Sequence, residues 1–72
     1  MNDEELLAKI GERIVALRTE KGMTQQEFAA ELDYEKSNMS RLESGRTNPR
    51  IATLYKVAKV LNVTLSDLLM IE

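Results

Sequence analysis

The sequence predicts an all-α fold, five short helices joined by tight connections around one small core. Three observations predict it. Apolar residues recur along the chain at the spacing of one helix face. Cap and stop residues punctuate that pattern at short intervals. No stretch alternates apolar and polar residues as a strand does, and no internal repeat or low-complexity segment is present.

The first helix runs from Asp3 to Lys21. Leu6, Ile10, Ile14 and Leu17 recur at intervals of four, four and three residues. Leu7 and Val15 widen that stripe, as a core-facing helix needs. Asp3, Glu4 and Glu5 lie at the positive end of the helix dipole and Lys21 at the negative end. Gly22 suits the left-handed residue that stops the helix. The second helix starts at Thr24, because Thr24-Gln25-Gln26-Glu27 fits the capping box. The Thr24 hydroxyl accepts from the Glu27 amide, and the Glu27 carboxylate reaches back to the Thr24 amide. Met23 and Phe28 flank the cap as a hydrophobic staple. Phe28, Ala29 and Leu32 form the buried side, and the helix should end near Glu31 or Leu32.

Asp33 and Tyr34 must make the next turn. Asp tolerates positive φ better than most residues, at some cost relative to Gly. A third helix follows from Lys36 to Ser44, with Met39 and Leu42 inward and Gly45 as its stop. Arg46-Thr47-Asn48-Pro49 is loop chemistry, since Pro disfavours helix just before it. A fourth helix spans Ile51 to Leu61. Its apolar face is Ile51, Leu54, Val57, Ala58 and Leu61, with Lys56 and Lys59 outside and Asn62 at the stop. Thr64-Leu65-Ser66-Asp67 opens a last short helix that carries Leu65, Leu68 and Leu69, with Met70 and Ile71 at its end.

Seventy-two residues make a single domain, residues 1–72. Aromatic residues are only 4% of the chain, so the core must be aliphatic and rich in Ala. Chains this short rarely draw more than about 3–5 kcal/mol from one core, and with no Cys no disulfide adds to it. That leaves idealised helix packing, oligomerisation, or both. The absence of His and Cys excludes a structural zinc site, a Ser-His-Asp triad, a Cys nucleophile and an imidazole base. Gly11, Gly22 and Gly45 are too far apart for a phosphate-cradling loop. No acid–base pair of matched character stands out. We therefore expect no catalytic residues, no metal, no cofactor and no small-molecule ligand. No apolar run of about 18 residues is present, and the acidic Met1-Asn2-Asp3-Glu4-Glu5 segment has no apolar stretch of a signal peptide. The expectation is a cytoplasmic binding protein that does not engage a membrane.

A net charge of −2 argues against nucleic acid until it is divided along the chain. Residues 1–33 carry eight acids and four bases. Residues 34–50 carry Glu35 and Glu43 against Lys36, Arg41, Arg46 and Arg50. A polyanion would be drawn to this second segment alone. On charge by itself an ordinary solvated surface is the better explanation of the segment.

Two short helices joined by a tight turn, the second bearing polar and basic outward residues, form the helix-turn-helix arrangement. The first helix presents its N-terminus to a phosphate. The second projects its outer face into a major groove wide enough for one helix. At this point the chain resembles a known family. Glu12-Arg13-Ile14, Leu17-Arg18, Lys21-Gly22-Met23-Thr24-Gln25-Gln26-Glu27-Phe28-Ala29, Ser40-Arg41-Leu42-Glu43-Ser44-Gly45-Arg46 and Asn48-Pro49 are similar to the Cro/phage-repressor-type (XRE) helix-turn-helix family. The likeness extends through Leu54 to Leu69 and covers about residues 6–70.

The resemblance implies a lambda-repressor-like five-helix DNA-binding domain whose helices two and three read DNA. It implies that Lys36, Ser37, Ser40 and Arg41 face the groove, and that Gln25, Ser44 and Arg46 contact phosphates. It also implies that Arg18 and Glu43 form an internal ion pair between helices one and three. Chemistry grades these roles. Arg41 can donate in parallel to guanine O6 and N7, and a phosphate contact stays open for it. Lys36, a point-charge donor, suits phosphate better than a base edge. Ser37 and Ser40 discriminate weakly, because a hydroxyl both donates and accepts. Gln25 near a helix start suits an anionic oxygen.

Three departures matter. Asp33 stands where the family has a turn Gly. Glu35 replaces a Ser or Thr cap, and its charge repels phosphate unless it accepts from a cytosine amino group. Arg50 replaces a small cap and is expected to point at the DNA backbone.

One recognition helix touches few base pairs, and tight specific binding needs a larger footprint. Leu65, Leu68, Met70 and Ile71 exceed what a short terminal helix can bury, so they are expected to form a homodimer interface. The expected function is sequence-specific double-stranded DNA binding by a small transcriptional regulator on a palindromic site. A DNA-binding antitoxin that also holds a toxin, a restriction-modification controller, and a protein-interaction module without DNA binding are the alternatives.

Overall fold

The computed structural model describes residues 1–71. It places α1 at Asp3–Glu20, α2 at Gln25–Glu31, α3 at Lys36–Glu43, α4 at Ile51–Val60 and α5 at Leu65–Leu68. Among the described residues there is no strand, and no helix is long and apolar enough to cross a membrane.

The helix starts follow local chemistry. Thr24 and Glu27 close the capping box: the Glu27 N–H donates to Thr24 Oγ1 at 3.0 Å and the Thr24 N–H to Glu27 Oε1 at 2.8 Å. Thr64 accepts from the Asp67 N–H at 3.0 Å. Sequence reasoning missed a further box at the start of α1. Asn2 Oδ1 accepts from the Glu5 N–H at 2.8 Å, and Glu5 accepts from the Asn2 N–H at 3.3 Å. Glu35 and Arg50 cap α3 and α4 with no side-chain hydrogen bond.

The helix ends share one device. A left-handed residue follows α1, α2, α3 and α4 in turn: Gly22 (φ 73°), Asp33 (φ 55°), Gly45 (φ 76°) and Asn62 (φ 58°). The next N–H then reaches back to a carbonyl of the last turn, Met23 to Arg18, Tyr34 to Ala29, Arg46 to Arg41 and Val63 to Ala58, at 3.1, 2.8, 2.9 and 3.0 Å. This is the Schellman arrangement, and it satisfies carbonyls that would otherwise lack partners.

The core draws Ile10, Ile14 and Leu17 from α1, Phe28 and Ala29 from α2, Met39 and Leu42 from α3, Leu54, Val57 and Ala58 from α4, then Leu61 and Leu68. Of the residues expected inside it, Leu7 and Val15 are half-buried outside the cluster, and two are exposed. Leu6 is 38% exposed and Ile51 62% exposed. Both stand in the first turn of their helix, outside the packed cluster. The expectation for Leu68 also needs correcting. It is 0% exposed within one chain, because it closes the core, so it has no surface to offer a second copy.

Backbone contact sets the position of α3. A Cβ on Gly11 would stand 2.3 Å from the Glu43 carbonyl oxygen, and one on Gly45 2.7 Å from Ala8 Cα. The backbone of α1 thus touches the last turn of α3 at one glycine and the turn after it at another. On the far side Arg13 ties α1 to α5, donating from Nε and Nη2 to the Asp67 carbonyl oxygen at 3.1 and 2.9 Å.

Candidate nucleic-acid interface

The side of α3 that carries Met39, Leu42 and Glu43 is buried. Its other side leaves Lys36, Ser37, Arg41 and Ser44 exposed, with Asn38 and Ser40 half-buried. Arg46 and Arg50, in the loop before α4, are exposed as well. Of the residues expected to meet the groove, Ser40 is therefore the one partly withdrawn.

A polar clamp holds this face in place. The Arg18 guanidinium donates from Nε to Glu43 Oε2 at 2.7 Å and from Nη2 to Glu43 Oε1 at 3.1 Å. Its Nη1 donates to the Met23 carbonyl at 2.8 Å. Gln25 Nε2 donates to Glu43 Oε1 at 2.9 Å. One carboxylate on α3 thus gathers donors from α1 and from the first residue of α2. The planar fork of Arg and the two oxygens of a carboxylate fit such a pairing. The clamp is nearly out of water, with side-chain exposures of 12% for Arg18 and 5% for Glu43. Every buried side-chain nitrogen and oxygen among the described residues has a partner. Gln25 is thereby engaged within the protein, which sequence reasoning did not anticipate; its second amide hydrogen stays available.

Three further bonds order the outer face. Ser44 Oγ donates to the Arg41 carbonyl at 3.2 Å, and Arg46 Nε donates to Ser44 Oγ at 2.9 Å. Arg41 Nη2 donates to Asn38 Oδ1. Sequence reasoning did not single out Asn38. The signal was its position three residues before Arg41, where side chains meet on a helix.

Glu27 sits in the capping box of α2. Hydrogen bonds from the Thr24 backbone N–H first, and its hydroxyl second, hold its carboxyl below the usual carboxylate range.

The profile of a helix-turn-helix family matches residues 14–68, which includes α2, α3 and the clamp. The chain belongs to the Cro/phage-repressor-type helix-turn-helix family. It is 42% identical over 55 residues to the HTH-type transcriptional regulator y4dJ of Sinorhizobium fredii, covering 76% of this chain and 71% of that protein. Its fold is similar to that of the restriction-modification controller C.AhdI from Aeromonas hydrophila, with a TM-score of 0.82, 31% identity, and coverage of 86% of this chain and 94% of that one. It is also similar to SinR, the master regulator for biofilm formation, in a complex with DNA, with a TM-score of 0.75, 43% identity, and coverage of 83% and 97%. Membership places the chain in a family of HTH-type transcriptional regulators. Asp33 adopts the left-handed turn without being Gly, and Glu35 holds the N-cap position of α3 without a side-chain hydrogen bond.

Proposed function

We propose that this protein binds double-stranded DNA sequence-specifically as a homodimeric transcriptional regulator, with α3 in the major groove. The observation that carries the reading is the exposed side of α3. Ser37 and Arg41 point away from a helix whose opposite side is fixed by core packing and by the Arg18–Glu43–Gln25 clamp. A rigidly held helix can enter a groove without losing further order on binding. The similarity to SinR, solved with DNA, supports the same conclusion.

In this reading Arg41 reads guanine, Ser37 and Ser40 contact neighbouring base edges, and Lys36 lies at the helix start between base and backbone. Gln25, Ser44, Arg46 and Arg50 hold phosphates. The dimer uses Leu65, Met70 and Ile71, without Leu68. Met70 is 65% exposed, and Leu65 and Ile71 are half-buried. A two-fold dimer sets its recognition helices about 34–36 Å apart on a palindrome.

Selection from a random duplex pool tests the reading. A palindromic enriched site, bound with an affinity that falls log-linearly with salt, is the expected result. Binding partners that ignore both salt and duplex would replace it with a protein-interaction role. Light scattering at micromolar concentration that finds only monomers would remove the dimer.

A further inference from the structure

Asn38 and Arg41 stand three residues apart on α3, and the Arg41 guanidinium donates from Nη2 to Asn38 Oδ1. Arg41 is exposed and Asn38 half-buried beside it. The amide can face the guanidinium in only one sense. Turned over, it would set its own N–H groups against those of Arg41, donor against donor. The bond therefore restrains both side chains. The long Arg side chain, otherwise free to sweep through many rotamers, is drawn along the helix toward Asn38. The bond takes one of the two lone pairs of the Asn38 carbonyl and leaves the other, with both N–H groups.

This has a consequence for base reading. An Asn that reads adenine needs its carbonyl to accept from the adenine amino group and its N–H to donate to N7. Here one lone pair of that carbonyl already accepts from Arg41. Together Asn38 and Arg41 offer the groove more donors than acceptors. Guanine presents two acceptors in the major groove, O6 and N7, whereas adenine and cytosine each present an amino donor there.

We propose that Asn38 is a positioning residue for guanine recognition: its carbonyl restrains the exposed Arg41 guanidinium, and the pair favours guanine over adenine at one position of each half-site. The inference rests on the DNA-binding reading above and deepens it.

The test is duplex selection from a random pool with four proteins: wild type, R41A, N38L and N38D. R41A locates the base pair at issue, the position where a guanine preference disappears. N38L keeps the size of Asn38 but has no acceptor. It should lower the guanine preference at that position by about threefold to tenfold, the span of one hydrogen bond. N38D keeps the acceptor and should retain the preference, with weaker binding to every duplex because of its charge. If thermal melting shows N38L misfolded, N38A takes its place. A wild-type preference that survives in N38L overturns the proposal, and so does its loss in N38D. A change in N38L confined to an adenine position elsewhere overturns it too, since Asn38 would then read a base itself. A wild-type palindrome with no guanine lost in R41A defeats the Asn38 role alone. A wild-type protein that enriches no duplex defeats the DNA reading, and this inference with it.

Discussion

Glu43→Ala is the substitution that most directly probes how this small fold keeps its reading face in place. Glu43 is 8% exposed and accepts from Arg18 Nε, Arg18 Nη2 and Gln25 Nε2. Removing its carboxylate leaves the Arg18 guanidinium in the same nearly dry position with one remaining partner, the Met23 carbonyl. Breaking a buried pair by deleting one member costs about 3–5 kcal/mol, most of it the penalty of a stranded charge. A chain of 72 residues has about 4–11 kcal/mol of total stability. The variant should therefore lie near the edge of folding. At about 4–8 °C per kcal/mol for a domain of this size, its Tm should fall by at least ~12 °C.

Arg41→Ala, an exposed change on the same helix, should shift stability by no more than about 0.5 kcal/mol. Thermal and urea melts followed by circular dichroism compare the two directly. A paired replacement, Arg18→Met with Glu43→Leu, should recover at least half of the loss, because apolar residues of similar volume often match or exceed a buried ion pair. Equal melting shifts for Glu43→Ala and Arg41→Ala would refute the reasoning, since they would mean that the pair is hydrated and adds little.

Gly11→Ala should destabilise although Ala is the better helix former, because the new Cβ meets the Glu43 carbonyl at 2.3 Å and forces α1 from α3; a melt should show a loss of about 1–3 kcal/mol. Gly22→Ala, with nothing within 4 Å but a φ of 73°, should cost only about 1–2 kcal/mol from backbone strain, and a Gly11→Ala variant as stable as wild type would deny the helix contact. Asp33→Gly should raise stability by roughly 0.5–1 kcal/mol in urea titration, since Asp33 holds a φ of 55°. Glu27→Gln tests acid sensitivity: the folded carboxyl of Glu27 is held below its ordinary range, so its contribution is full above the unfolded value near ~4.3 and is lost as pH falls through the lower folded value. The variant's stability should be flatter than wild type's across that acid window, and parallel pH curves would count against the capping-box bond.

What the sequence disclosed and what it withheld divide along a physical line. Helix starts and stops are decided within a few residues. Thr24 with Glu27, Thr64 with Asp67, and the stops at Gly22, Gly45, Asp33 and Asn62 were therefore readable one turn at a time. The inward residues of α3 were readable for the same reason, because Met39 and Leu42 fix its buried side through helix period alone. Leu6 and Ile51 have the same period as their buried neighbours but stand in the first turns of α1 and α4, outside the packed cluster. Period shows which side of a helix is apolar and leaves open how far along its length that side is covered.

Contacts between distant segments were legible only where both partners have distinctive side chains. Arg18 and Glu43 could be paired through resemblance to a family. Arg13 could not, because its acceptor is the Asp67 carbonyl, and every residue carries one. Gly11 is the extreme case, since its importance lies in an atom it lacks: a glycine within α1 looks like a weakness of about 1 kcal/mol until α3 is seen against it. The candidate site inherits this division. The outward row of α3 follows from local pattern, whereas the direction in which Arg41 extends depends on Asn38, a neighbour whose residue type gave no warning. In the proposed reading, specificity turns on which donor already has a partner before DNA arrives, and the outward row of residues by itself does not show it. That makes the Asn38 variants a sharper test of the reading face than substitution of Arg41 itself, because loss of Arg41 would weaken binding whether it contacts a base or a phosphate.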